Sequence, residues 1–156
     1  MADGDKAISQ KVDEYGWAVV HVGASGDEPN YAYSVGLFEK FGHPEVIVFG
    51  LHPDVLQDMI NRIGDEVKQG KSFAASTVSS DLLEGYPCAF RPVAAGAVRA
   101  YMGAGLRYYA RDFPAVHCVW PDRQGRFPWD SGASADFRRL QPMLSEGPEA
   151  STRVRP

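Results

Sequence analysis

The chain has few of the residues and patterns that mark disulfide-bonded or metal-binding proteins. It has only 2 cysteines among 156 residues, and Cys88 and Cys118 each lie in an apolar run typical of a strand. Two isolated cysteines exclude a disulfide framework, and no HxH, HExxH or CxxC spacing occurs, so we predict neither a metal nor a cofactor. We expect both thiols to be small buried side chains in a reducing compartment.

Long apolar runs and an excess of basic charge are also absent. No run of the roughly 18 apolar residues needed for a membrane helix occurs, and the N-terminal MADGDKAIS carries acids where a signal peptide is apolar. The net charge of −4, from 16 basic and 20 acidic residues, argues against a nucleic-acid or anionic-membrane partner. We therefore expect a cytoplasmic protein, either a monomer or a dimer.

The order of hydrophobic patterns favours an α+β fold. Helices are predicted over residues 4–15, 53–70 and 96–111, with a helical turn at 38–41. Strands are predicted over residues 17–22, 31–37, 45–50, 72–79, 87–93 and 115–120. Because hairpin neighbours outnumber alternating strand–helix units, we predict a mostly antiparallel sheet with about three helices packed on one side. One domain is expected over residues 1–144, followed by a flexible tail over 145–156 that has few large apolar residues.

Two sequence blocks are longer and more unusual than the rest. The first contains YSVGL at 33–37, GHPE at 42–45 and an apolar run at 46–51; the second contains VWPD at 119–122 and GRFPW at 125–129. Together they resemble the signature of the bacterial domain-of-unknown-function family 4262, over most of residues 8–132. The resemblance implies no activity, because none is established for that family. The chain differs from it at Tyr31, where Phe is more usual, and at His117, where Gln is more usual, which argues against a family-wide role for His117.

His43 is the first candidate for chemistry. It lies between Gly42 and Pro44 at the mouth of a strand, and an imidazole can act as an acid, a base or a ligand near neutral pH. The alternative is that its ring fixes the turn by bonding a main-chain carbonyl. Glu45 follows two residues later and would share a strand face with His43. Asp122 is the other candidate helper, although an Asp before a Gly-containing loop commonly bonds its own backbone.

The aromatic residues are the second candidate, because rings with polar tips line small-molecule pockets and protein interfaces. Tyr31 and Tyr33 are two apart and share one strand face, Tyr108 lies on the third predicted helix, and Trp129 ends the second block. Core packing is the alternative for each ring. With His43, these four residues form the predicted ligand-binding set.

The remaining histidines have structural interpretations. His52 precedes a helix and would serve as its N-cap, while His21 and His117 lie in strands that a sheet could bring together.

Three functions remain open. The first is a binding module that recognises a protein or a small ligand through an aromatic cleft built from Tyr33, His43 and Trp129. The second is a small hydrolase-like enzyme with His43 as general base and Glu45 or Asp122 as helper. The third is an immunity-type or regulatory partner, for which a negative charge suits a basic target. The first hypothesis requires the two sequence blocks to converge on one hollow.

Overall fold

The computed structural model describes residues 3–145, which form one six-stranded sheet and six helices. The strands are β1 (Ala18–Val22), β2 (Tyr31–Val35), β3 (Glu45–Phe49), β4 (Val78–Leu83), β5 (Tyr86–Pro92) and β6 (Ala115–Val119). The helices are α1 (Asp3–Tyr15), α2 (Leu37–Phe41), α3 (Pro53–Lys68), α4 (Ala95–Tyr101), α5 (Gly103–Tyr109) and α6 (Ala135–Arg139). Residues 146–156, which hold nearly all of the predicted tail, lie outside this range.

The sheet has the strand order β1-β2-β3-β6-β5-β4. All neighbouring pairs are antiparallel except β3–β6, which is parallel. The predicted α+β fold with a mostly antiparallel sheet is therefore confirmed. The strand predicted over 72–79 is displaced, because the main chain turns at Ala74–Thr77 and Ser76 has a φ of 75°. An extended strand does not accommodate that conformation, so β4 begins at Val78.

Two separate apolar cores lie on the two faces of the sheet. Val46 and Val48 point into one core with the apolar residues of α3, and this is called the α3 face. Ile47 and Phe49 point into the other with residues of α4 and α5, and this is called the α5 face. Ile8 of α1 also packs on the α5 face. The expectation of helices on one side is therefore wrong, because β3 and β6 are buried at every position and need cover on both faces.

The third predicted helix is divided into α4 and α5. Met102 interrupts it with φ −117° and ψ 48°, and its side chain is fully buried. Gly105 of α5 lies against a side chain, since a Cβ there would lie 2.7 Å from the ring of Phe113.

Helix α3 is fixed against the first strand by Trp17. Its first turn is capped by His52, whose Nδ1 accepts a hydrogen bond from the Asp54 amide at 3.1 Å, which confirms the predicted N-cap. A Cβ at Gly64 would lie 2.4 Å from the Trp17 ring, and the Trp17 indole donates to Asn61 Oδ1 at 3.0 Å. The tryptophan therefore sets both the depth and the register of α3 over β1. Among residues 3–145, no helix has the length and apolar character required to cross a membrane.

Candidate functional site

The first sequence block builds a hydrogen-bond network around Glu45, which is fully buried. Its carboxylate accepts hydrogen bonds from the Ser34 hydroxyl at 2.7 Å, the Gly36 amide at 2.8 Å and the Tyr109 hydroxyl at 2.5 Å. The main-chain amides of residues 37 and 38, which follow Gly36, also donate to the carboxylate, both at 3.2 Å. Ser34 Oγ accepts from the Val46 amide at 2.9 Å, which ties β2 to β3. The carboxylate thus takes the place of an N-cap side chain for α2.

This network explains why the block has its particular residues. Gly36 has a φ of 119°, and a Cβ there would lie 2.8 Å from the Gly16 carbonyl, so a side chain does not fit. Burial raises the pKa of Glu45, although hydrogen bonds from Tyr109, Ser34 and the main chain oppose this shift. Burial and the neighbouring Glu45 also raise the pKa of Tyr109. Every donor around the carboxylate belongs to the fold itself, so Glu45 holds the turn together.

His43 is also engaged in the fold. Its Nδ1 lies 2.7 Å from the Pro44 carbonyl, to which it donates, and its Nε2 accepts from the Phe73 amide at 2.8 Å. Burial lowers the pKa of His43, against the opposing effect of the Pro44 carbonyl. The imidazole is therefore a neutral bridge between two main-chain segments. The His43 ring packs on Phe73 of the α3-face core, whereas the Glu45 carboxylate bonds Tyr109 of α5, so the predicted alignment of the two side chains on one face is wrong.

Asp122 organises the turn of the second block. Its Oδ1 accepts from the amides of Gln124 and Arg126, both at 2.9 Å, and its Oδ2 accepts from Arg126 Nε at 2.9 Å. Desolvation raises the pKa of this carboxyl, but the hydrogen bonds from Arg126 and Gln124 outweigh it and lower the pKa below its usual range. This is the predicted bonding of an Asp to its own turn.

Tyr31 and Tyr33 lie on the α5 face, as their spacing predicted, with ring centroids 6.3 Å apart. The Tyr33 hydroxyl accepts from the Ala104 amide at 2.9 Å, and the Tyr31 hydroxyl donates to the Tyr101 carbonyl at 2.7 Å. Burial and the neighbouring tyrosines raise the pKa of Tyr31 to about 12. The two phenols attach α4 and α5 to the sheet.

Trp129 and Tyr108 are more accessible. Trp129 is 37% exposed, but its ring is stacked on Phe127 at 4.9 Å and covered by the Arg91 guanidinium at 3.8 Å. The Tyr108 hydroxyl donates to Glu39 Oε1 at 2.5 Å, and burial together with this carboxylate raises its pKa. Tyr108 also lines a cavity of about 120 Å³ beside the Asp5–Arg107 ion pair. That volume is well below the roughly 300 Å³ of a typical ligand pocket.

The structure does not bring Tyr33, His43 and Trp129 together. The His43 ring packs on Phe73, which belongs to the core of the α3 face, whereas Tyr33 lies on the α5 face. Trp129 lies over Arg91, three strands from Tyr33 in the row β2-β3-β6-β5, or about 14 Å. The predicted shared cleft is therefore wrong, and a ligand role for each residue alone stays a prediction.

The two sequence blocks do meet, but inside the core. The Trp120 indole donates to the Phe49 carbonyl at 2.7 Å, and Trp120 is only 7% exposed. Trp120 itself packs in the core of the α3 face, so the blocks form a buried structural joint and not the predicted hollow.

His21 and His117 are separated by two strands, so the sheet does not bring them together. His21 is exposed and its Nε2 lies 2.7 Å from Gln57 Oε1. His117 is 1% exposed, its Nε2 has no hydrogen-bond partner among the described residues, and burial lowers its pKa to about 3. Its ring contacts Phe49 edge-on at 5.4 Å.

A groove that sequence reasoning missed lies beside β1. It has a volume of about 620 Å³ and is bounded by α1, the start of β1 and α3. Because α1 and α3 pack on opposite faces of the sheet, they form its two walls, and the start of the edge strand β1, at Ala18 and Val19, lies between them. The lining residues are Ala7, Ile8, Lys11, Glu14, Tyr15, Trp17, Ala18, Val19, Gln57, Asn61, Asp65 and Lys68. The sequence signal available for it was Tyr15, an aromatic residue at the end of a helix that proves to be 56% exposed.

The two edges of the sheet differ in how well they are protected. Strand β4 pairs irregularly with β5 between Ser79 and Leu83, and Arg62 donates to its Asp81 carbonyl at 2.8 Å. Such irregularity and charge discourage further pairing. Strand β1, with the sequence AVVHV, pairs in unbroken register with β2 and carries neither proline nor a charged carboxylate or ammonium. Of the two edge strands within residues 3–145, β1 is therefore the one without this protection.

The comparisons with known proteins identify a family without an assigned activity. The family described as "Domain of unknown function (DUF4262)" matches residues 11–134, so the chain belongs to that family. No curated protein and no solved structure matches the chain. Among residues 3–145, no group of three His, Cys, Asp or Glu side chains is arranged to hold a metal ion.

Proposed function

We propose that this DUF4262 domain is a binding module that accepts an extended segment of a partner polypeptide along β1. The observation that carries the proposal is the groove of about 620 Å³ between α1 and α3, which lies at the start of the unprotected edge strand β1. An added strand would form main-chain hydrogen bonds to β1 while its side chains contact the helices. A regulatory or immunity-type role is one form of this activity.

The catalytic candidates give less support to the hydrolase alternative. Both nitrogens of His43 are bonded to main-chain groups, and Glu45 and Asp122 accept hydrogen bonds from their own turns. A general base must have a lone pair within reach of the substrate proton. For His43 to act in this way, the bond from the Phe73 amide would have to break.

A cytoplasmic partner is part of the same proposal. Cys88 and Cys118 are both free thiols, which suits a reducing compartment. Both thiols are buried, so neither is accessible to a partner protein.

The test is selection from a library of random extended peptides, followed by affinity measurements. Tyr15→Arg places a long charged side chain in the groove and is expected to weaken the selected peptides about tenfold or more. Val78→Arg is the matched control, because Val78 is a 63% exposed apolar residue on the opposite edge strand. Binding should be unchanged in that variant.

Amide hydrogen exchange supplies a second measurement on the same samples. Added peptide should slow exchange within Ala18–Val22 and leave Val78–Leu83 unaffected. A library that yields no binder, or binders equally sensitive to Tyr15→Arg and Val78→Arg, would overturn the proposed function.

A further inference from the structure

The groove also constrains the chemistry of its partner, if the proposed function holds. Side chains of a β-strand alternate between the two faces of a sheet. A strand added to β1 therefore directs every second side chain to the α1 wall and the others to the α3 wall. Since the walls belong to different helices, each one selects independently for its half of the partner's residues.

The two walls are chemically unlike. The α1 wall offers apolar surface from Ala7, Ile8 and the Tyr15 ring, together with Lys11 and Glu14. The α3 wall has only amide and charged side chains, which recur at helical spacing and are Gln57, Asn61, Asp65 and Lys68. Gln57 and Asn61 already have partners in His21 and Trp17. A strand that is apolar on both faces would still take water from Asp65 and Lys68 without replacing it, so the groove favours an alternating segment.

Two charged residues of the α3 wall determine the order of charges on the polar side of the partner strand. Asp65 and Lys68 are exposed, and neither forms an ion pair within residues 3–145. Side chains three apart on a helix lie about 5–6 Å from each other. Side chains two apart on a strand lie about 6.6 Å from each other. Asn61, one turn before Asp65, bonds Trp17, so this charged pair lies beside the residues that precede β1. A basic and an acidic residue at positions i and i+2, where the partner strand extends past the start of β1, therefore match both charges at the same time.

We infer that the partner of this groove is an alternating strand with apolar residues toward α1 and an oppositely charged i, i+2 pair toward α3. The basic member faces Asp65 and the acidic member faces Lys68. For a strand that runs in one direction along β1, the order of the two charges is thereby a specificity determinant, independent of overall charge. A strand with like charges at these positions would place one of them against its own sign.

Two synthetic peptides test this inference. Each has seven residues with blocked ends and valine at every even position. One has threonine, lysine, aspartate and threonine at the odd positions, and the other exchanges the lysine and the aspartate. The protein variant exchanges Asp65→Lys with Lys68→Asp, so composition and net charge stay constant in both partners.

The wild-type protein is expected to prefer one peptide by about three- to tenfold at low salt, and the double variant to prefer the other by a similar factor. Added salt should reduce both preferences, because the pairs are exposed. The matched control exchanges Asp136→Arg with Arg139→Asp, an exposed i, i+3 pair on α6 that does not line the groove. It should leave the order preference as in the wild type.

Failure of the inference and failure of the proposed function give different results. If both peptides bind equally, or if the double variant keeps the wild-type preference, the charge order is wrong while strand binding stands. If neither peptide binds but the random library yields groove binders, the alternating pattern is wrong. A second copy of the chain as occupant would appear as a dimer in light scattering, disrupted by Tyr15→Arg, and would overturn the assignment to a foreign strand.

Discussion

Glu45 shows at the residue scale how a family motif can be explained by hydrogen bonding alone. Its carboxylate has five donors, and an acceptor-only group suits all of them. The same carboxylate seemed, in the sequence, to be a helper for His43. The groups that bury and bond this carboxylate belong to β2, α2 and α5, and no local sequence pattern relates these three elements to each other.

The substitution Glu45→Gln tests this role. The new amide group would point a donor at existing donors, so the free energy of unfolding should fall by about 2–4 kcal/mol at pH 7. Urea unfolding measures the change. Glu39→Gln is the control, since Glu39 is exposed and accepts only from the Tyr108 hydroxyl among described partners. Similar losses in the two variants would show that the network contributes little.

His117 makes a second prediction at this scale, for pH dependence. Burial lowers its pKa from 6.5 to about 3. Between those values the unfolded chain binds a proton and the folded chain does not, so stability is present above pH 6.5 and is lost as the pH falls. At pH 5 the loss is about 2 kcal/mol relative to neutral pH.

Urea unfolding of His117→Leu at neutral pH and at pH 5 checks this sign. The variant should lose less stability on acidification than the wild type, with a residual loss from His43, whose pKa burial also lowers. His21→Gln, at an exposed strand position, is the control and should follow the wild type. An unchanged pH dependence in His117→Leu would contradict the assignment.

Gly64 is the informative residue at the scale of elements. Alanine normally stabilises a helix interior by about 1 kcal/mol relative to glycine. At position 64 its Cβ would lie 2.4 Å from the Trp17 ring, so Gly64→Ala should instead destabilise the protein by about 1–3 kcal/mol. Thermal or urea unfolding measures the effect.

Gly4→Ala is the matched control for the same helix-forming substitution. A Cβ at Gly4 has no atom within 4 Å, and the residue lies in α1. This change should be neutral or slightly stabilising. Stabilisation by both substitutions would mean that the Trp17 contact does not set the position of α3.

Elements whose pattern is local were predictable from the sequence. The helix predicted over 53–70 and the strands predicted over 45–50 and 115–120 all follow from the spacing of apolar residues. The break at Met102 was not, since its cause is the packing of that side chain in the α5-face core. The onset of β4 was missed because the positive φ of Ser76 has no signal in a serine.

At the scale of the whole molecule, the candidate site could not be predicted from the sequence. The cleft prediction assumed that Tyr33, His43 and Trp129 converge, and strand order decides that question. Placing β6 between β3 and β5 separates Trp129 from Tyr33 and buries the joint between the two blocks. The groove likewise depends on α1 and α3 lying on opposite faces, which periodicity does not specify.

The parallel pairing of β3 with β6 also has a consequence for synthesis on the ribosome. The edge of β3 (Glu45–Phe49) that pairs with β6 stays unpaired until Ala115–Val119 has been synthesised. At a synthesis rate of about 5–20 residues per second, this apolar strand edge is exposed for several seconds. Chaperone dependence should therefore be greatest for translation products that stop short of residue 115, and ribosome-stalled fragments of graded length would measure it.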